Sequence, residues 1–125
     1  MKDENTHGRD LGGRTRAYAL AVIDLYGVLP KSTVAQVLGQ QLLRSGTSVG
    51  AHYREARRGK STADFVSKIE GLLQELDESA YWMELLQDAK VVKAGTIRSL
   101  LSETEEMIAI FVTVTKRAKL KLPKR

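Results

Sequence analysis

Residues 44–61, RSGTSVGAHYREARRGKS, decide how this chain folds. Ser45, Ser48 and Val49 stand three or four positions apart, so a helix gathers them on one narrow face that a neighbouring backbone can approach. Gly46 and Gly50 lie in the same run and Gly39 just ahead of it. Each glycine costs about 1 kcal/mol against alanine inside a helix. Three of them point to close packing, because a missing Cβ lets helix axes move towards the short end of the usual range of about 8–10 Å; the alternative is a helix bent or broken there. Arg54, Glu55, Arg57 and Arg58 then crowd charge into the last turns, Gly59 offers a C-terminal stop, and Ser61 can cap the next helix.

Working outward, this second helix takes Val34, Leu38, Leu42, Ser45, Val49, His52 or Tyr53, and Ala56 along one face. Before it, Tyr18, Val22, Leu25 and Leu29 step by four, three and four, with Ala17, Ala21 and Ile23 widening the stripe. A first helix is expected from Arg14 to about Leu29, stopped by Pro30, with Ser32 or Thr33 capping its successor. After it, Phe65, Ile69, Leu72, Leu76, Ser79, Met83 and Leu86 alternate four and three without a slip, thickened by Val66, Leu73 and Ala80. That heptad spacing predicts near-parallel packing with knobs into holes. Ser61 with Asp64 three residues on reads as a capping box with a shortened acid.

The fourth helix carries Ile97, Leu101, Thr104, Ile108, Phe111, Thr115 and Ala118 on one face, and Leu100, Met107, Ile110 and Val114 on another. Between Met107 and Val114 only Thr113 is polar. A helix apolar nearly all round needs cover on its far side, so self-association is expected through Met107, Ile110 and Val114. The fold class is therefore all-α: an antiparallel up-down-up-down four-helix bundle over residues 14–118, assembling into a ring-like homo-oligomer. Residues 1–13 read as a flexible leader and 119–125 as a basic tail, within a terminal stretch KRAKLKLPKR that is expected to be mobile.

With 125 residues, the chain is one domain able to bury a core without staples. It has no cysteine, which excludes disulfides, thiolate metal sites and a thiol nucleophile. No apolar run approaches the roughly 20 residues of a membrane span, and MKDENTHGRD is too polar for a signal peptide; a cytoplasmic protein is expected. Net charge is +5, but residues 1–30, 31–60, 61–90 and 91–125 carry 0, +5, −5 and +5 in turn. Basic blocks flanking an acidic one suit helices paired along charged edges, subunits meeting acid to base, or a nucleic-acid surface. The candidate contacts for nucleic acid or an acidic partner are Arg54, Arg57, Arg58, Lys60, Lys116, Arg117 and Lys119; a merely solvated face is the plainer reading.

Three segments carry a resemblance over most of the chain, from about Arg14 to Ala118: SGTSVGAHYREA from Ser45, the connection RRGKSTAD, and FVSKIEGLLQELDESAYWMELL. Together they resemble the bacterial four-helix bundle family first met as reading frames inside intervening sequences of large-subunit ribosomal RNA genes. In that pattern a small-residue helix reaches a Glu-Ala pair, a Gly and a basic residue, and an aromatic-started, Glu-rich helix bearing a Trp follows. Ser45, Ser48, Gly50 and Glu55 are the motif positions, and His52 stands where relatives commonly carry Asn. The resemblance implies a bundle that assembles into a ring, commonly a pentamer, without established enzymatic activity. At fold level it is similar to the accessory variability protein of diversity-generating retroelements, which implies an alternative role as accessory subunit of a reverse transcriptase.

Catalytic constellations fail one by one. His7 and His52 are the only histidines, and neither sits in a Glu-x-x-His pair of the kind that di-iron bundles use. RRGKS ends like a phosphate loop but lacks its first Gly. No catalytic, metal or cofactor residue is expected. Glu55 is expected to pair with Arg44, Arg58 or a basic residue of another helix and so fix register; the other reading is an anion or protein site shared with its arginines. Tyr81 and Trp82 are read as a core or interface anchor rather than a base-stacking platform.

Overall fold

A computed structural model describes residues 10–123. Four helices make up those residues: α1 Leu11–Gly27, α2 Thr33–Arg57, α3 Thr62–Asp88 and α4 Ala94–Lys119. Each start has a local cause. Asp10 accepts from the Gly13 amide at 2.9 Å, Ser32 from Ala35 at 3.2 Å and Ser61 from Asp64 at 3.0 Å, each satisfying an orphan amide of a first turn. The Asp10 cap starts α1 three residues before Arg14, so Leu11, Gly12 and Gly13 are helical and not part of a leader. The expected capping box is incomplete, because the Asp64 carboxylate accepts from the Lys60 amide at 3.3 Å and not from Ser61. At its other end α1 stops at Gly27, two residues short of expectation. Leu29 then folds back, buried, onto α2.

Lys90 closes α3 in the left-handed conformation, φ 60°. Its amide donates to Gln87 and that of Val91 to Leu86, both at 3.0 Å, so the turn is a Schellman motif with lysine where glycine is usual. Residues 116–119, read as part of a mobile tail, are the last turn of α4. Residues 1–9, 124 and 125, where the rest of the leader and tail readings fall, lie outside the described residues.

Close packing of α1 on α2 follows from the glycines. A Cβ added at Gly46 would stand 2.7 Å from Val22 Cγ2, and one at Gly39 2.5 Å from Leu29 Cδ1 and 3.0 Å from the Tyr26 ring. At Gly50 it would meet Thr15 at 3.5 Å, an ordinary contact. These pairs also fix direction: as α2 numbers rise from 39 through 46 to 50, their α1 partners fall from 26 through 22 to 15. Ion pairs Arg44–Glu78 and Glu55–Lys68 run α3 antiparallel to α2, and Lys119–Glu70 and Arg14–Glu106 place α4 antiparallel to both α3 and α1. The chain is thus up-down-up-down. The α1–α4 seam is the loosest of the four.

The core holds the expected stripes of α1 and α3 nearly whole: Tyr18, Val22, Leu25 and Leu29, then Ile69, Leu72, Leu76, Met83 and Leu86. On α2, Tyr53 and not His52 turns inward. Three expectations are corrected. Met107 belongs with Ile97, Thr104, Phe111, Thr115 and Ala118 on the buried face of α4, enclosed by its own chain. Val34 and Ile23 are exposed, because Val22 and Leu25 on α1 and Ala35, Gly39 and Leu42 on α2 take the inward positions, which turns Ile23 and Val34 to the flank. The apolar excess at the surface consequently lies on α1 and α2, at Leu20, Ile23, Val28, Val34 and Val37, and less on α4, where Ile110 and Val114 are half-buried.

Candidate basic interface

The antiparallel order puts the C-termini of α2 and α4 at one end of the bundle. Both are tied to the same turn of α3: Lys68 pairs with Glu55 of α2 at 3.7 Å, and Glu70 with Lys119 of α4 at 2.9 Å. Arg54, Arg57, Arg58 and Lys60 therefore share an end with Lys116, Arg117 and Lys119, all exposed. Sequence reading named these residues but left the two blocks some sixty positions apart; the bundle brings them together.

Among the described residues, the acids of this end are already occupied. Asp10 and Asp64 accept from backbone amides, while Glu55 and Glu70 hold lysines. Glu55 thus takes the cross-helix partner. At the solvent-exposed Lys68 such a pair fixes register more than it adds stability, about 0–1 kcal/mol. Arg57 is engaged too, its guanidinium 5.9 Å from the Tyr53 ring centroid. Among the described residues, no carboxylate pairs with Arg54, Arg58, Lys60, Lys116 or Arg117. Cations at helix C-termini also complement the helix dipole, which explains their position but not their excess over acids.

Elsewhere the polar groups are spent on structure. Arg14 of α1 grips Glu103 of α4 through two bonds, 2.7 and 2.8 Å, and reaches Glu106 at 2.7 Å; the Glu103 bonds foremost raise its pKa. Arg44 donates to Glu78 at 2.6 Å, which raises its pKa also. His52 Nε2 lies 3.6 Å from Glu75 Oε2, and the ring packs over Gly71. Of the motif serines, Ser45 is buried and bonded to Ser79 at 2.7 Å, whereas Ser48 turns back to the Arg44 carbonyl at 2.7 Å. Trp82 is half-buried beside exposed Tyr81, ring centroids 5.1 Å apart.

Sequence reading missed that Tyr18, Ser45, Ser79 and Thr104 form one hydroxyl layer. Tyr18 meets Thr104 at 2.7 Å and Ser45 meets Ser79 at 2.7 Å, so every helix contributes one hydroxyl. Polar residues at core positions of each heptad were the available signal. Among the described residues, no group of three or more His, Asp or Glu could hold a metal ion. Nor, among the described residues, is any helix long and apolar enough to cross a membrane. A shallow groove of about 640 Å³ follows the loose α1–α4 seam, lined by Ala17, Asp24, Leu25, Val28, Ser99 and Glu103 among others, with Glu103 held by Arg14.

The model of the 23S rRNA-intervening sequence protein family matches residues 12–113. This chain belongs to that family. The match spans all but the ends of the bundle, including the small-residue face of α2 and the whole of α3. Among solved structures, a protein of unknown function from the S23 ribosomal protein family of Bacteroides thetaiotaomicron is similar. It is 31% identical over 84% of this chain and 97% of that one, with a TM-score of 0.79. No curated protein matches. Membership in the 23S rRNA-intervening sequence family bears out the resemblance carried by SGTSVGAHYREA and the Glu-rich third helix, and with it the all-α, four-helix fold.

Proposed function

We propose that the chain is a non-catalytic interaction module that binds a polyanion, nucleic acid in the first place, at the end where α2 and α4 finish. The observation that supports this reading is the convergence of Arg54, Arg58, Lys60, Lys116 and Arg117 around one turn of α3, with the nearby acids among the described residues already engaged. Cations held on helices lose little freedom on meeting phosphates, and the counterions they release drive association.

Self-association is the second half of the proposal. Leu20, at 52% exposed, and Ile23, at 45%, lie on the outward side of α1, and Val28 joins them beside the groove. A homo-oligomer, pentameric as the resemblance implies, would cover this apolar surface together with Ile110 and Val114. Cyclic symmetry would then set the basic ends of all copies on one side of the ring.

The experiment is titration of a labelled nucleic acid at low salt, with light scattering on the same samples. Binding that weakens when Arg54 and Arg58, or Lys116 and Arg117, are changed to Gln supports the interface. A species several times the mass of one chain that dissociates in a Leu20→Lys/Ile23→Lys variant supports the assembly. Absence of binding at low salt removes the first half, and a monomer at micromolar concentration removes the second.

A further inference from the structure

Resting on the basic end as a nucleic-acid surface, we infer that its ligand is a duplex, held by its phosphates without regard to sequence. Three observations converge on this. The first is what the end lacks. Proteins that hold single strands stack bases on exposed aromatic rings, but Tyr53 is 4% exposed with its ring against Phe111 at 5.8 Å, and Phe65 is half-buried on the core. Exposed Tyr81, with half-buried Trp82 beside it, sits eleven or more residues along α3 from Lys68 and Glu70, roughly 17 Å away.

The second is chemistry. Residues 54–60 and 116–122 contain no Asn or Gln, the side chains that read adenine edges; their Arg and Lys meet phosphates in any sequence and, of the base edges, suit guanine alone. The third is spacing. Neighbouring helices stand about 8–10 Å apart, so α2 and α4, both seated on α3, set two cation rows about 14 Å apart across the bundle. Rows that far apart straddle the two strands bordering a groove of about 6–12 Å. One strand offers a charge only every 3.4 Å or so along a single line, half the axial density of a duplex. DNA and RNA duplexes share this chemistry.

The test is competition at low salt against a bound labelled duplex of about 20 base pairs, with the whole chain. The competitors are unlabelled DNA duplex, RNA duplex and each single strand, in two unrelated sequences. The inference expects either duplex to compete at least about tenfold better than its separate strands, equally for both sequences, and Tyr81→Ala to leave this ratio unchanged. Single strands competing equally or better, or a Tyr81→Ala variant that loses affinity, would overturn the duplex assignment while leaving the basic interface standing. No binding of any nucleic acid would overturn both.

Discussion

The Tyr18 phenol lies 2.7 Å from the Thr104 hydroxyl across the α1–α4 seam, with both side chains closed off from solvent. Thr104 itself donates to the Leu100 carbonyl at 2.8 Å, so Tyr18 is the donor. In the same layer Ser79 donates to the Glu75 carbonyl at 2.8 Å and meets Ser45 at 2.7 Å. A buried hydroxyl without a partner costs about 1–3 kcal/mol, and so the layer penalises any register in which these four residues fail to meet.

Removing the second member should therefore cost less than removing the first. Tyr18→Phe and Thr104→Val are each expected to lower stability by about 1–3 kcal/mol, and the double variant by clearly less than their sum. Urea unfolding of the four proteins gives the cycle. Strict additivity would show that the pair is not coupled.

The same phenol makes stability depend on pH. Burial foremost, against the opposing bonds of Thr104 and Ser79, holds its pKa above the ordinary 10.0. An unfolded chain then loses this proton before the folded one does, so the folded state binds more protons and stability falls as pH rises. The contribution is complete below about pH 10 and is lost towards the raised folded value. Wild type should lose stability faster than Tyr18→Phe between about pH 9 and 11; parallel urea midpoints for the two would contradict this.

Glycines of α2 should respond to alanine with opposite signs. At Gly46 the new methyl meets Val22 at 2.7 Å, in a contact made by a branched, buried side chain that cannot swing away, and a loss of about 1–3 kcal/mol is expected. At Gly50, with 3.5 Å of room, the better helix propensity should add up to about 1 kcal/mol. Val22→Ala should relieve the Gly46→Ala loss in part. Thermal denaturation distinguishes the two, and a stabilised Gly46→Ala would mean that the helices do not approach as described.

Lys90 is a third place where backbone geometry can be tested. Its φ of 60° costs a side-chain-bearing residue about 1 kcal/mol or more. Lys90→Gly should recover about that amount. No gain in the urea midpoint would show that the α3–α4 turn is not left-handed in solution.

Much of the architecture was legible because the heptads of α1 and α3 allow one inward face. The α2 glycines were equally plain, since a triple propensity penalty must be offset by contact. Where the reading failed, local pattern did not contain the answer. Met107 follows Leu100 by seven and precedes Val114 by seven, so it fits an outer stripe as well as the inner one; only the position of α1 decides. Ile23 and Val34 look like core by spacing and are exposed because Val22 and Ala35 beside them take the inward positions. In the interface every residue was visible as charge, but that Arg58 and Arg117 share an end is a property of topology, and that Glu55 and Glu70 are occupied is a property of side-chain contacts.

The most direct measurement on the basic interface is the slope of log Kobs against log salt for a nucleic-acid duplex. Each phosphate neutralised contributes about 0.9 to that slope. Wild type is expected to give a steep fall in affinity, and Arg54→Gln/Arg58→Gln and Lys116→Gln/Arg117→Gln should each flatten it by about 2, because both helix ends touch the same ligand. A slope near zero, or one that only a single pair of substitutions changes, would show that the two basic segments do not act as one surface.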